Sequence, residues 1–157
     1  MRERVSTNLA YVAGLIDGEG CIHLEVSQGR WYQPRVSVGM TEPAFDLLTS
    51  LHKEWGGTLY QMRKPTAKWA GAWTWHMTGH PAAKLLTAIQ PYLRLKNDQA
   101  AAALELYRVV MDLPRNPSGT QAIWTEEART QCEEIRARLK VMNKKGPRVS
   151  AQIAEDV

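Results

Sequence analysis

The sequence predicts an α+β domain in which a four-stranded antiparallel twisted sheet has helices on its apolar face. Three observations predict it: an apolar run with helical spacing begins the chain, a hairpin followed by a helix occurs twice, at 21–55 and 58–90, and two amphipathic segments end it. The order is αββαββα with two C-terminal helices. Because 157 residues with 44% hydrophobic content suit one core, we expect a single domain over 1–143 and a basic, flexible tail at 144–157.

The first helix, within 8–20, ends in two acids. Its apolar face has the spacing i, i+3, i+4, i+7 and consists of Leu9, Val12, Ala13 and Ile16. A second stripe of Ala10, Gly14 and Gly18 carries almost no side chain, so another backbone could approach it closely. Asp17 and Glu19 stand at the tip, where carboxylates are costly unless they have partners or a cation. We therefore expect a helix that packs by its body and presents carboxylates at its end.

Alternating residues predict the four strands. The apolar phase of the first hairpin contains Ile22, Leu24 and Val26 and, after a connection at 27–33, Val36, Val38 and Met40. The second pair is predicted at 58–63 and 72–78, with Trp73, Trp75 and Met77 in the core. The opposite phase is polar and contains His23, Glu25, Ser27, Arg35, Ser37, Tyr60, Thr74 and His76. The pattern leaves open whether this face binds a partner or is simply solvated.

The remaining helices are predicted from caps and spacing. The second begins at Thr41-Glu42-Pro43 and ends at Gly56-Gly57. Its apolar, inward face consists of Phe45, Leu48, Leu51 and Trp55. A third covers 81–90. Asn97 caps a fourth at 98–112, whose inward residues are Ala100, Leu104, Tyr107 and Met111. The fifth, at 125–142, has the apolar stripe Ala128, Cys132, Ile135, Leu139 and Met142, which makes Cys132 a core thiol rather than a reactive one.

The overall composition favours an intracellular protein with a polyanionic partner. The net charge is +4 and the pI is about 9.2. Cys21 and Cys132 form no disulfide framework, so we expect free thiols in a reducing compartment. No apolar run approaches the roughly 18 residues of a membrane span, and the N-terminus lacks a signal-peptide core. We expect neither a membrane nor an organic cofactor among the partners.

Acids are the best candidates for metal ligands. The sequence contains no Gly-x-Ser-x-Gly, Cys-x-x-Cys or His-x-x-x-His arrangement, and its four histidines are scattered. Carboxylate oxygens suit Mg²⁺. One carboxylate per chain offers few ligands for a catalytic metal. Two helices packed through Ala10, Gly14 and Gly18 would place two Glu19 side chains near a two-fold axis. Metals held there could activate water against phosphates, with one site on each strand of a duplex.

Residues 12–20 carry the strongest motif. Their sequence Val-Ala-Gly-Leu-Ile-Asp-Gly-Glu-Gly resembles the signature of the LAGLIDADG homing endonucleases, with Val at the first position and Glu for the last Asp. Trp55-Gly56-Gly57 gives a further match. Residues 91–100 are similar to the family's Pro-x-Leu-x-x-Lys-x-x-Gln-Ala segment. The resemblance extends over residues 8–112.

The resemblance implies metal-dependent phosphodiester hydrolysis. Glu19 would be the metal-binding acid, with the Gly18 carbonyl as a second ligand. Asp17 would mostly satisfy backbone donors at the helix interface. Lys96 would lie near the scissile phosphate and stabilise the charge that develops on it.

Glu42 matches the implied site more loosely. It falls where single-motif members often carry a polar residue that touches the metal–water network. A nearby basic residue of some members is replaced by Asp46, which leaves the solvent-activating network open. The implied cofactor is Mg²⁺, for which Mn²⁺ would substitute, whereas Ca²⁺ would support binding only.

A single copy of the signature implies a homodimer whose two sheets lie in the major groove of a long, nearly palindromic double-stranded DNA target. The implied interface residues are Ala10, Ala13, Gly14 and Asp17. The implied DNA-binding residues are His23, Glu25, Ser27, Trp31, Gln33, Arg35, Ser37, Tyr60, Arg63, Lys64, Lys68, Thr74 and His76. Arg35 could hold guanine bidentately, whereas the basic residues of the second hairpin would mostly contact phosphate.

Intron or intein homing by double-strand cleavage is the function that the resemblance implies, and two others stay open. An RNA maturase or a DNA-binding regulator would keep the fold without cleavage. Intact Glu19 and Lys96 argue against a lost active site but not against an added splicing role. A structural dimer whose acids merely cap the helix would show no metal-dependent DNA binding.

Overall fold

Within residues 2–144, which the computed structural model describes with side chains from residue 8 onward, the predicted order αββαββα is confirmed. The helices are α1 (Arg2–Glu19), α2 (Phe45–Trp55), α3 (Gly79–Ile89), α4 (Asn97–Met111) and α5 (Glu126–Met142). The strands are β1 (Gly20–Ser27), β2 (Trp31–Thr41), β3 (Thr58–Arg63) and β4 (Ala72–Thr78). The tail predicted at 144–157 lies outside the described residues except for Lys144.

The four strands form one antiparallel sheet in the order β1-β2-β4-β3. The two hairpins therefore join through β2 and β4, where Val36 lies opposite Met77 and Val38 opposite Trp75. The first hairpin turns at 28–30, inside the connection predicted at 27–33, and Gly29 has a φ of +67° that glycine adopts without strain. Both strands of the second hairpin have the predicted bounds.

The core lies between the apolar face of this sheet and the helices. Trp75 and Met77 are at most 2% exposed, which confirms their predicted core positions. Trp73 is half-buried and packs on Phe45, with ring centroids 4.6 Å apart. The indole N–H of Trp75 donates to the Gly56 carbonyl at 2.8 Å and so ties β4 to the end of α2. The sheet is thus fixed to its helical layer through its central strands.

α5 packs on α4 and β1 and extends the core beyond the sheet edge. Its buried residues are Ala128, Cys132, Ile135 and Leu139. Burial raises the pKa of the Cys132 thiol to about 11, as expected for a core thiol. The Tyr32 hydroxyl donates to Glu133 at 2.6 Å and connects β2 to this helix. Among the described helices, none has the length and apolarity needed to cross a membrane.

Several helix ends differ from the predictions. Asn97 is not the cap of α4, because Lys96 precedes the helix and the Asn97 amide donates to the Gln90 carbonyl at 3.0 Å. Met111 is 49% exposed at the end of α4, so its predicted inward position is wrong. α1 begins well before the predicted position 8, and α3 begins before position 81.

Candidate functional site

α1 carries two carboxylates in its last turn, close to the ends of the strands. Val12, Ala13 and Ile16 are at most 1% exposed and anchor this helix in the core. The chain passes directly from Glu19 into β1 at Gly20, where a Cβ would lie 2.8 Å from the Ile16 carbonyl oxygen. Glycine avoids this clash and allows the helix to continue into the strand without a loop.

Asp17 holds the segment that precedes α4. Its carboxylate accepts hydrogen bonds from the backbone N–H groups of Arg94, Leu95 and Lys96 at 2.8, 3.2 and 2.9 Å. Hydrogen bonds to an ionised acceptor are about twice as strong as neutral ones. One side chain therefore fixes three consecutive backbone groups, and the donors that Asp17 satisfies belong to its own chain.

Lys96 contacts α1 in return. Its ammonium group donates to the carbonyl oxygens of Ile16 and Asp17 at 2.8 and 2.6 Å. These carbonyls belong to the last turn of α1, where intrahelical partners are missing and negative charge accumulates. We call the three bonds to the Asp17 carboxylate and the two from the Lys96 ammonium the Asp17–Lys96 clamp. The clamp holds a cation beside Gly18 and Glu19.

The Glu19 carboxylate is exposed and has no hydrogen bond or ion pair within the described residues. It lines a cleft of about 380 Å³ where the end of α1 meets the ends of three strands. The other residues that line this cleft are Gly39, Met40, Thr41, Met62, Arg63 and Ala72. An unpaired carboxylate beside such a cleft is available to bind a ligand.

Glu42 is not among the residues that line this cleft. Its N–H donates to the Gly71 carbonyl at 2.9 Å, and a Cβ at Gly71 would lie 3.1 Å from the Glu42 carboxyl carbon. Thr41 lines the cleft instead, and Asp46 is exposed on α2. The structure therefore does not join Glu42 to Glu19 in one cleft. Thr41 is a polar residue of the cleft lining that the sequence analysis did not include in the site.

The donors at the end of α1 suit a hard divalent cation. Glu19 offers carboxylate oxygens, and the Gly18 carbonyl follows the two carbonyls that Lys96 occupies. Mg²⁺ prefers oxygen donors, keeps several waters and takes few protein carboxylates alongside phosphate oxygens. The described residues contain no cluster of three or more His, Cys, Asp or Glu side chains that could hold a metal. The oxygen donors at the end of α1 are therefore of the kind that Mg²⁺ prefers.

The polar phase of the sheet forms one surface. Its cross-strand partners are His23 and Arg35, Glu25 and Gln33, Ser27 and Trp31, Ser37 and His76, and Tyr60 and Thr74. The strand pairing thus brings together the residues that the sequence placed in one phase. Cys21, Thr58 and Thr78 share this face through their partners Ser37, His76 and Arg35, and the sequence reasoning did not include them.

Two predicted members of this surface are less accessible than expected. Thr74 is only 7% exposed, because Met62 covers it with its sulfur 3.6 Å from the Thr74 hydroxyl. The Thr74 side chain is therefore covered in the free chain, and its contact with DNA stays a prediction. Trp31 is half-buried and packs edge-on against Trp124, with ring centroids 6.4 Å apart.

Arg35 is at the centre of the charge network on the polar face. Its guanidinium lies 3.5 Å from one Glu25 carboxylate oxygen, and Gln33 donates to the other at 3.4 Å. Burial, followed by the charge of Arg35, lowers the pKa of His23 and of His76. Both imidazoles are therefore neutral near pH 7, and Arg35 carries the positive charge of this cluster.

A second basic cluster lies where β3 leads into the loop 64–71. Trp69 is 58% exposed, and the cationic groups of Arg63 and Lys68 each lie 5.8 Å from its ring centroid. Lys64 is exposed next to them. Cation–π contacts of this kind hold positive charge around an aromatic surface. The cluster is suited to phosphate groups.

The small-residue stripe of α1 faces outward. Ala10, Gly14 and Gly18 are exposed, and a Cβ at either glycine would meet no atom within 4 Å. Ala13 is completely buried in the core of its own chain. Its side chain is not available to a second subunit, which corrects its predicted place in an interface.

Comparisons with known proteins bear on the fold. No protein-family model matches the chain, and no curated protein matches it. The homing endonuclease I-CvuI, crystallised with its target in 2 mM Ca, has a TM-score of 0.70 at 18% identity over 98% of this chain and 93% of that one. The homing endonuclease I-TnaI has a TM-score of 0.57 at 19% identity over 85% and 94%. The LAGLIDADG meganuclease I-AabMI, bound to uncleaved DNA, has a TM-score of 0.58 at 18% identity over 94% of this chain and 48% of that one.

These similarities define the class of fold: the chain has the fold of the LAGLIDADG homing endonucleases, and the resemblance predicted from residues 12–20 is confirmed at this level. The match extends over nearly all of I-CvuI and I-TnaI, which is consistent with the single-motif type. The same chain spans about half the length of I-AabMI.

Asp17 and Glu19 should differ in their effect on stability. Asp17→Asn removes the charge and one acceptor oxygen from three N–H groups, so the free energy of unfolding should fall by about 2 kcal/mol. Glu19→Gln removes the same charge where the carboxylate has no partner, so the change should stay below about 0.5 kcal/mol. Urea denaturation of both variants measures the difference. Equal losses would contradict the clamp.

The lowered pKa values of His23 and His76 predict a pH dependence of stability. In the unfolded chain these imidazoles titrate near 6.5, whereas in the folded chain they stay neutral to lower pH. Between 6.5 and the folded pKa the unfolded state binds more protons, so the free energy of unfolding should fall as the pH falls. Glu133, whose pKa Tyr32 lowers from 4.5, titrates below this window.

Urea denaturation between about pH 7 and about pH 5 measures this slope. A variant that carries both His23→Gln and His76→Gln is the control and should lose most of it. The same slope in the wild type and the double variant would show that other groups cause the dependence.

Proposed function

We propose that this chain is a site-specific endonuclease that makes a double-strand break in a long, nearly palindromic DNA target by metal-dependent hydrolysis. The observation that carries the proposal is the unpaired Glu19 carboxylate, which lines a cleft at the end of the sheet, two residues after the Asp17 carbonyl that the Lys96 ammonium contacts. The DNA-bound state of the similar structures supports a nucleic-acid partner. The fold they share supports the same reaction class.

Glu19 and the Gly18 carbonyl are the ligands that we propose for Mg²⁺, with Mn²⁺ as a substitute and Ca²⁺ supporting binding only. The calcium in the I-CvuI crystals favours a divalent cation of this kind. When bound, such an ion polarises a phosphate and lowers the pKa of a water molecule that attacks it. The protein contributes the rigid end of α1, which keeps both oxygen donors in place.

Lys96 is suited to contact the phosphate. An ammonium group has three N–H donors, and two of them are used on the carbonyls of Ile16 and Asp17. The third is available for an oxygen of the scissile phosphate. Because the clamp fixes the ammonium before DNA arrives, little reorganisation is needed when negative charge develops during the reaction.

The stripe of Ala10, Gly14 and Gly18 favours assembly with a second copy of the chain. Glycine in a helix costs about 1 kcal/mol relative to alanine, yet no atom of the described residues occupies the space next to Gly14 or Gly18. Close approach of a second backbone would explain both glycines. The half-length match to I-AabMI favours two such units. A pair of chains would bring two Glu19 carboxylates together, one for each DNA strand.

The polar face of the sheet is the surface that we propose for sequence readout. Arg35 would leave Glu25, with which its contact is long at 3.5 Å, and bind guanine O6 and N7. His23, Gln33 and His76 surround it and offer further donors and acceptors. Lys64, Lys68 and the other basic residues of the second hairpin would bind phosphates and give affinity without sequence information.

Glu19→Gln should abolish cleavage and leave DNA binding intact, because it removes a metal ligand without disturbing the clamp. The probe is a duplex selected from a randomised pool by the wild-type protein in Ca²⁺. Gel assays in Mg²⁺ measure cleavage, and fluorescence anisotropy in Ca²⁺ measures the Kd. Equal cleavage by the variant would eliminate Glu19 as the metal-binding acid.

The same assays separate endonuclease activity from the alternatives. Specific binding without cleavage by the wild type in Mg²⁺ or Mn²⁺ would contradict the endonuclease and favour a DNA-binding regulator. Failure to select any duplex would contradict DNA recognition itself. In that case a selection with structured RNA would test the maturase.

A further inference from the structure

The basic residue assigned to the proposed active site so far is Lys96, whose ammonium group contacts the last turn of α1. Phosphodiester hydrolysis passes through a transition state with increased negative charge on the phosphate oxygens, and fixed cationic donors stabilise it. A second fixed cation at the Glu19 cleft would therefore stabilise this transition state further.

Arg63 reaches this cleft because of an irregularity in β3. From Thr58 to Gln61, β3 pairs with β4 in regular antiparallel register. The register then shifts, so that Arg63 rather than Met62 pairs with Ala72. Ala72 is in the same phase as the residues of the polar face. The bulge thus moves Arg63 to the side of the sheet where Glu19 lies, and bulges of this kind redirect side chains next to active sites.

The Arg63 side chain is held with its terminal nitrogens available. Its Nε donates to the Ala70 carbonyl at 3.1 Å, and its guanidinium lies against the Trp69 ring. The two terminal nitrogens have no acceptor in the described part of the chain. A guanidinium fixed in this way presents two parallel donors, the arrangement that binds two oxygens of one phosphate.

The surroundings distinguish Arg63 from the lysines of the same loop. Glu19 and Arg63 line one cleft, whose walls include the apolar side chains of Met40, Met62 and Ala72. Such walls would strengthen the interaction of a cation with a phosphate once bound DNA covers the cleft and displaces its water. Lys64 is the next residue, carries the same charge and is not part of the cleft lining.

We propose that Arg63 is a further catalytic residue, which contacts the scissile phosphate and stabilises the charge that develops on it. This proposal rests on the proposed endonuclease function. It assigns to the register shift in β3 the task of placing a cation in the Glu19 cleft. Glu19 and Lys96 keep the roles described above.

The test compares Arg63→Gln, Arg63→Lys and, as the matched control, Lys64→Gln. The substrate is the duplex that the wild-type protein selects in Ca²⁺, and single-turnover cleavage in Mg²⁺ is measured at saturating protein so that affinity does not enter the rate. Arg63→Gln should lower the rate constant about 100-fold. Arg63→Lys should be intermediate, because an ammonium keeps the charge without the paired donors. Lys64→Gln removes a phosphate-binding charge outside the cleft, so it should weaken the Kd in Ca²⁺ and lower the rate constant by far less than Arg63→Gln does.

Cleavage of bound DNA at the wild-type rate by Arg63→Gln would overturn the proposal and leave Arg63 as a binding residue. An equal loss of rate in Lys64→Gln would also overturn it, because the effect would then follow the charge of the loop rather than the cleft. Circular dichroism melting of each variant identifies loss of fold. Absence of cleavage by the wild type contradicts the endonuclease, whereas wild-type cleavage that Arg63→Gln matches contradicts only the role of Arg63.

Discussion

The Asp17–Lys96 clamp is the contact on which the proposed site depends. An acid in the last turn of a helix opposes the helix dipole, and here three backbone N–H groups and an ammonium on the neighbouring carbonyls compensate for it. The clamp fixes α1 to the segment before α4, although these parts are distant in sequence. Glu19, two residues further on, is then left without a partner in the described chain. Two acids that are only two residues apart thus differ: Asp17 is held by hydrogen bonds, and Glu19 is free to bind a ligand.

The sheet joins the proposed site of cleavage to the proposed surface of recognition. Trp75 and Met77 are buried on the inner face of the sheet, and Tyr32 links β2 to α5. The outer face is therefore backed by a well-packed core. Its polar network around Arg35 lies on the same strands that end at the Glu19 cleft. The position of bases on the sheet would therefore determine which phosphate meets the acid. Recognition and cleavage would be coupled through rigid geometry.

Local patterns predicted much of the fold but few contacts of the site. The bounds 58–63 and 72–78 followed from strong alternation and from Gly56-Gly57 before them. The clamp joins residues nearly 80 positions apart, and no local pattern reports such a contact. Helical spacing placed Ala13 on the apolar face of α1 and Ala10 on its small-residue stripe, and the complete burial of Ala13 shows that spacing, rather than the family resemblance, located it correctly. The register shift that redirects Arg63 depends on pairing with β4, which alternation within β3 does not reveal.

The central claim is that one chain supplies half of an active centre. Mixed dimers of wild-type and Glu19→Gln subunits, separated by different affinity tags, test it most directly on a supercoiled plasmid that carries the selected target. The account predicts that wild-type dimers linearise the plasmid, that mixed dimers only nick one strand, and that double-variant dimers leave it intact. Linearisation by mixed dimers, or full activity from a monomer, would contradict it.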